Sequence, residues 1–132
     1  MHQAKVNLQL ELASAHILAQ PDQLEIMLRN ILENAVIYRS ANRSPIIKIS
    51  CGMQNEFAFI QVEDNGVGID ETQIPLVFQR FYRIHQASEI IGSGLGLSIV
   101  KQIVDLYAGK IEIFTPKNKQ GLIIQIRFIM AV

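Results

Sequence analysis

The sequence predicts an α+β two-layer sandwich, one sheet covered on one face by helices. Three observations carry this. Strand-like and helix-like stretches alternate irregularly, unlike the regular repeat of a parallel α/β fold. Residues 46–51 with 57–63, and 110–115 with 122–130, pair off across short polar loops as antiparallel hairpins. Two longer stretches carry apolar residues at helical spacing and nowhere reach the length of a membrane span.

Element by element, Val6-Asn7-Leu8-Gln9-Leu10-Glu11-Leu12 alternates apolar and polar side chains, the period of a half-buried strand. Ile17-Leu18-Ala19 reads as a second short strand. Pro21 and Asp22 then signal a helix start, because proline is tolerated in the first turn and the acid suits the dipole. Leu24, Leu28, Ile31 and Ala35 continue that helix to about residue 39, before the polar loop 40–45. The segment 52–56 joins the first hairpin. Asp70 and Gln73 have capping-box spacing and open a short helix that includes Pro75. Leu97, Val100, Val104 and Tyr107 define a second long helix over 95–108, stopped by Gly109. The strands 110–115 and 122–130 close the chain around the loop 116–121.

With 132 residues and no interdomain linker, a single domain over 1–132 is expected. Twelve basic residues balance twelve acidic ones, so no charge excess exists to drive nucleic-acid binding. The one cysteine, Cys51, cannot form an internal disulfide, and no Cys/His cluster has zinc spacing. Met1-His2-Gln3-Ala4 does not begin a signal peptide. These features predict a cytoplasmic, monomeric domain without membrane contact. Five of its eight glycines fall in two clusters, Gly66 and Gly68, then Gly92, Gly94 and Gly96.

Four constellations carry possible chemistry. Asn30 and Asn34 share a helix face that Tyr38 continues. They form either a solvated polar stripe or a set of carbonyl oxygens for a ligand or a magnesium ion. Asp64-Asn65-Gly66-Val67-Gly68 has the composition of a tight hairpin turn. However, too little chain follows for a returning strand, which favours a ligand-reading loop whose carboxylate accepts from an exocyclic amine. Gly92-Ser93-Gly94-Leu95-Gly96-Leu97-Ser98 opens the second long helix, where backbone N–H groups and the dipole hold phosphate. It lacks the Gly-Lys-Ser/Thr of a Walker loop and the strand that precedes a dinucleotide fingerprint. Finally, Phe78-Gln79-Arg80-Phe81-Tyr82-Arg83 interleaves aromatics with arginines, as core anchors or as ligand contacts.

In this order the four features resemble the nucleotide-binding boxes of the sensor histidine kinase catalytic domain, within the GHKL (Bergerat-fold) ATPase/kinase superfamily. Residues 28–35 resemble the N box, Asp64-x-Gly66-x-Gly68 the first glycine box and Phe78-x-x-Phe81 the F box. Gly92-x-Gly94-Leu95-Gly96-Leu97 resembles the second glycine box, and Tyr107-Ala108-Gly109-Lys110-Ile111 the strand entry after it. The resemblance extends over about residues 6–128. It implies a mixed, mainly antiparallel sheet of five strands backed by three helices, with ATP held beneath a mobile lid formed by residues 82–91. It further implies that Asp64 binds the adenine amine and that Asn34, assisted by Asn30, ligates Mg2+. Tyr38, Ile69 and Phe81 would flank the nucleotide, with Gly66 and Gly68 shaping the base pocket. Gly92, Gly94, Leu95, Gly96 and Leu97 would line the triphosphate. Many members carry a phosphate-contacting lysine at the position of Ile37, so Arg39 or Arg80 would substitute in part. Leu122 stands where threonine is usual.

The superfamily divides between hydrolysis and phosphoryl transfer. In its gyrase and MutL branch a glutamate one turn before the metal-binding asparagine activates water; here that position is Asn30, which cannot act as a base near neutral pH. Glu33 points about 100° round the helix from Asn34. His2, His16 and His85 lack the surroundings of a phosphoacceptor histidine. The resemblance therefore implies a kinase half-site with no catalytic acid or base of its own. Its acceptor histidine would lie on a separate dimerisation domain, with a response regulator downstream and a membrane anchor possible in missing segments. A serine-phosphorylating anti-sigma switch kinase and a nucleotide-binding pseudokinase are the alternative readings.

Overall fold

A computed structural model describes residues 6–12, 17, 19–79, 96–118 and 120–129. In chain order these form β1 (Asn7–Leu12), α1 (Pro21–Ile37), β2 (Ile46–Gln54), β3 (Phe57–Asp64), a 3₁₀ turn (Ile74–Leu76), α2 (Gly96–Leu106), β4 (Lys110–Phe114) and β5 (Leu122–Ile129). The five strands make one sheet in the order β1-β2-β3-β5-β4. Only β1 and β2 are parallel, because α1 carries the chain back between them; the other pairs are antiparallel. The α+β sandwich and the five-stranded mixed sheet agree with the sequence reading. Among the described residues the helical layer holds two α-helices and one 3₁₀ turn instead of three helices.

The core lies between that layer and one sheet face. Met27, Ile31 and Ala35 of α1 and Leu97, Val100, Ile103 and Val104 of α2 are buried with Val62, Ile124, Ile126 and Phe128. Burying each of these side chains other than Ala35 stabilises by roughly 1.5–3 kcal/mol.

The edge of the sheet corrects one expectation. Leu8, Leu10 and Leu12 alternate as foreseen and pair with Ile47, Ile49 and Cys51, yet they remain 52%, 57% and 61% exposed. α1 packs on β3 and α2 on β4, so the helical layer is centred away from β1. Nor does a second strand form at 17–19: Ile17 lies outside regular structure and Ala19 in a bend, while Leu18 falls outside the described residues. The extended Gln20 leads directly into α1.

The remaining differences are local. α1 stops at Ile37, two residues early, because Tyr38 leaves the helical conformation and its carbonyl accepts from the Val67 amide at 3.0 Å. The first hairpin runs further than expected, to the pair Gln54–Phe57, leaving Asn55 and Glu56 as its turn with Asn55 at φ 56°. Asp70 closes onto Thr72, whose amide and hydroxyl donate to Oδ1 at 2.9 and 2.8 Å. A capping box onto Gln73 does not form, and a single 3₁₀ turn replaces the short helix. At the end of α2 the left-handed residue is Ala108 (φ 55°), not Gly109. The amides of Ala108 and Gly109 donate to Asp105 and Val104 at 3.1 and 2.9 Å, which is a Schellman ending displaced by one residue. Gly109 serves packing instead: a Cβ there would lie 2.8 Å from the Arg127 carbonyl oxygen and 2.8 Å from the Phe128 ring.

Tyr107 joins the two helices. Gln20, the N-cap of α1, makes no side-chain capping bond, and its backbone amide donates to the Tyr107 hydroxyl at 3.1 Å. That hydroxyl in turn donates to the Gln23 side chain. Among the described residues no helix is long and apolar enough to cross a membrane.

Candidate functional site

Asp64 ends β3 on the core-facing side of the sheet, paired with Ile47 on one neighbour and Leu122 on the other. The chain then leaves the sheet in a loop whose glycines admit other parts of the protein. A Cβ on Gly66 would lie 2.5 Å from the Tyr38 carbonyl oxygen, and one on Gly68 (φ +76°) 2.9 Å from that of Gly121. Gly121 itself holds φ +89° against the Asp64 backbone. Sequence reasoning expected these glycines to admit a ligand; the groups they admit here are the end of α1 and the turn before β5.

That packing gathers Asn34, Tyr38, Asp64, Gly68, Ile69 and Leu122 around one small pocket. Ile69 and Leu122 are almost fully buried and form its apolar wall. The Asp64 carboxylate accepts the Gly66 amide at 2.9 Å and the Leu122 amide. Burial pushes its pKa above the ordinary carboxylate value, and the Glu63 charge adds to this, while the two amides pull in the opposite direction. The pocket thus sets one oriented carboxylate beside an apolar wall.

Asn30 lies one turn before Asn34. Its amide nitrogen donates to the Ile26 carbonyl at 2.8 Å, which satisfies one end of the carboxamide. Its Oδ1 faces the first residue of α2, 3.5 Å from where a Cβ on Gly96 would stand. The N-box asparagines therefore point one toward the pocket and one toward the helix start that Gly96 and Leu97 supply.

Other residues singled out from the sequence are placed differently. Arg39 turns back on α1, donating to the Val36 carbonyl at 2.7 Å, and does not line the pocket. Ile37 runs with Leu32, Glu33 and Val36 along an outer groove of α1. Phe78 packs against the core. Phe81, Gly92, Gly94, Leu95 and the expected lid at 82–91 lie outside the described residues.

One contributor to the loop, Arg43, had no signal in the sequence. Arg43 donates from Nε to the Asn65 carbonyl at 2.9 Å and from Nη2 to the Gly66 carbonyl at 2.7 Å. The Asn65 side chain accepts from Ile46 at 2.8 Å and donates to the Ser44 carbonyl at 2.9 Å, tying the loop to β2. Asn65 was legible as a turn former; nothing distinguished Arg43 from a solvated loop arginine.

Comparison with known proteins identifies the family and the fold. The family model described as histidine kinase-, DNA gyrase B-, and HSP90-like ATPase matches residues 19–131. Sensor histidine kinase YkoH of Bacillus subtilis is 34% identical over 130 residues, which is 97% of this chain and 28% of the relative. Signal transduction histidine-protein kinase ArlS of Staphylococcus aureus is 34% identical over 102 residues, 76% of this chain and 22% of ArlS. The chain thus spans less than a third of the length of these curated relatives. Among solved structures, the mycobacterial sensor histidine kinase MprB superposes with a TM-score of 0.85 at 26% identity, covering 95% of this chain and 84% of that one. The histidine kinase domain of the E. coli osmosensor EnvZ gives 0.67 at 35% identity, covering 96% and 76%. A match that runs from α1 through the pocket to β5 establishes that this chain belongs to the histidine kinase-, DNA gyrase B-, and HSP90-like ATPase family, on its sensor histidine kinase branch.

Proposed function

We infer that this chain holds Mg-ATP in the Asp64 pocket and presents the γ-phosphate to a histidine on a separate dimerisation domain of a two-component sensor kinase. One observation carries the reading: an ionisable carboxylate, oriented by two backbone amides, stands beside the apolar wall of a pocket that Asn34 also borders. The adenine ring would lie against Ile69 and Leu122, flanked by Tyr38, and donate its exocyclic amine to Asp64. A charge-assisted bond of this kind contributes roughly 1.5–3 kcal/mol.

The donor set fits magnesium carried in with the nucleotide. Among the described residues no group of three or more His, Cys, Asp or Glu side chains could hold a metal unaided. Asn34 offers a neutral oxygen beside the pocket, and Asn30 offers the Oδ1 left over from its bond to Ile26. Hard oxygen ligands of this type suit magnesium when substrate phosphates and water complete its shell. When bound, the ion would neutralise phosphate charge. Gly96 and Leu97 open α2 beside Asn30, and the backbone amides of a helix start favour phosphate. Gly92, Gly94, Leu95 and Phe81 are assigned to the same nucleotide by the family pattern.

Transfer to protein is favoured over hydrolysis. Asn30 occupies the place of a general base, and Glu33 faces the outer groove of α1 with Leu32 and Ile37. Catalysis by this chain then rests on positioning and charge neutralisation. The acceptor histidine and its base would come from the dimerisation domain, and a response regulator would receive the phosphoryl group afterwards.

The deciding experiment supplies a matching dimerisation domain, adds Mg-ATP, and looks for acid-labile phosphohistidine. Its formation only in the presence of this chain is the expected result. Absence of ATP binding below millimolar concentration with magnesium present overturns the reading.

A further inference from the structure

The two carbonyls that Arg43 grips belong to consecutive peptide units, Asn65–Gly66 and Gly66–Val67. At the far end of the first unit the Gly66 amide donates to Asp64 Oδ1 at 2.9 Å. At the far end of the second the Val67 amide donates to the Tyr38 carbonyl at 3.0 Å. One guanidinium fork therefore holds the outer ends of two peptide planes whose inner ends touch two pocket residues, Asp64 and Tyr38. Ionised donors strengthen such bonds, and each peptide polarised at its oxygen becomes a better donor at its nitrogen. The fork is planar and spaced for two acceptors at once, which a lysine ammonium cannot reproduce. Arg43 itself is half-buried and lies outside the pocket.

We propose that Arg43 is a positioning residue for base selectivity: through the Asn65–Gly66 and Gly66–Val67 peptides it fixes the Asp64 carboxylate in the orientation that separates a 6-amino purine from its 6-oxo counterpart. This rests on the nucleotide-binding reading above. The carboxylate accepts from an exocyclic amine and repels a carbonyl oxygen at the same position. Discrimination of that kind needs the acceptor held still, because a carboxylate free to rotate can turn away from the wrong base.

The test titrates the full chain with Mg-ATP and with Mg-ITP, whose bases differ in that amine, using wild type, Arg43→Ala, Arg43→Lys and Asp64→Asn. Wild type is expected to prefer ATP. Arg43→Ala is expected to narrow the ATP/ITP affinity ratio about tenfold, the loss of roughly one charge-assisted bond, and Arg43→Lys to narrow it part-way. A purely structural arginine lowers both affinities together and leaves the ratio alone. The proposal is overturned if the wild-type ratio persists in folded Arg43→Ala while Asp64→Asn abolishes it. Should Arg43→Ala not fold, an unchanged ratio in Arg43→Lys overturns it equally. A wild-type ratio in Asp64→Asn removes Asp64 as the base reader, and the role of Arg43 falls with it.

Discussion

Gly121 stands so close to Asp64 that a Cβ on the glycine would collide with the Asp64 carbonyl oxygen. The turn before β5 is thereby packed directly on the strand end that carries the carboxylate. Its φ of +89° adds a conformation that L side chains avoid. Gly121→Ala is expected to destabilise the fold by about 2–4 kcal/mol, the sum of steric overlap and backbone strain. Denaturant unfolding measures this directly. A midpoint within error of wild type would contradict the close packing of Gly121 on Asp64.

Asp64 is expected to trade stability for binding. Its pKa is raised, so the folded state favours the protonated carboxyl. The sign follows from linkage. This contribution is fully present below the ordinary carboxylate value of 3.8 and is lost as pH rises through the raised value, leaving ionised Asp64 a net cost at neutral pH. Asp64→Asn should therefore be more stable than wild type at pH 7, with the difference shrinking as pH falls toward 3.8. ATP affinity should fall at least about tenfold in the same variant. In wild type, ATP affinity should weaken as pH drops through the raised pKa. Thermal melts at several pH values and calorimetric titration at pH 7 check both halves. A variant less stable than wild type at neutral pH would refute the stability half.

Much of this was legible in the sequence because it depends on local periodicity and on residue types with few alternatives. The stripe through Ile31 and Ala35 and the stripe through Leu97, Val100 and Val104 both became core. Asn34, Tyr38, Asp64, Gly68 and Ile69, all singled out in the sequence, line one pocket. What escaped depends on contacts between segments distant in the chain. The alternation of β1 marks Leu8, Leu10 and Leu12 as one face but cannot say that the helical layer sits elsewhere. Arg43 reaches across 22 and 23 positions to carbonyl groups, and carbonyls carry no sequence signature. Gly109 was read as a helix stop, yet its reason lies on β5.

The end of α2 gives a paired prediction. Ala108 adopts φ 55° without need of its side chain at the cap, so Ala108→Gly relieves left-handed strain. It should stabilise the domain by about 0.5–1 kcal/mol, the strain relief less the added entropy of the unfolded chain. Gly109→Ala should do the reverse, because a methyl group there meets the Arg127 carbonyl and the Phe128 ring. A loss of about 2 kcal/mol is expected, within the range for overpacking a core contact. Equal effects from the two substitutions, measured by chemical unfolding, would show that the cap has been assigned to the wrong residue.

Tyr107→Phe isolates the link between the two helices. The phenol oxygen accepts the Gln20 amide, one of the donors at the start of α1 that has no partner within the helix, and donates to Gln23. Phenylalanine keeps the ring packed against the core and removes only those bonds. The expected loss is about 1–2 kcal/mol, one backbone donor deprived of its capping acceptor plus one side-chain bond. The effect should be local. Hydrogen exchange should quicken most in the first turn of α1, around Gln20 and Gln23, while amides of β3 and β5 quicken only as far as global stability falls. Exchange in the first turn that tracks global unfolding would mean that Tyr107 supports the core as a whole and does not cap α1.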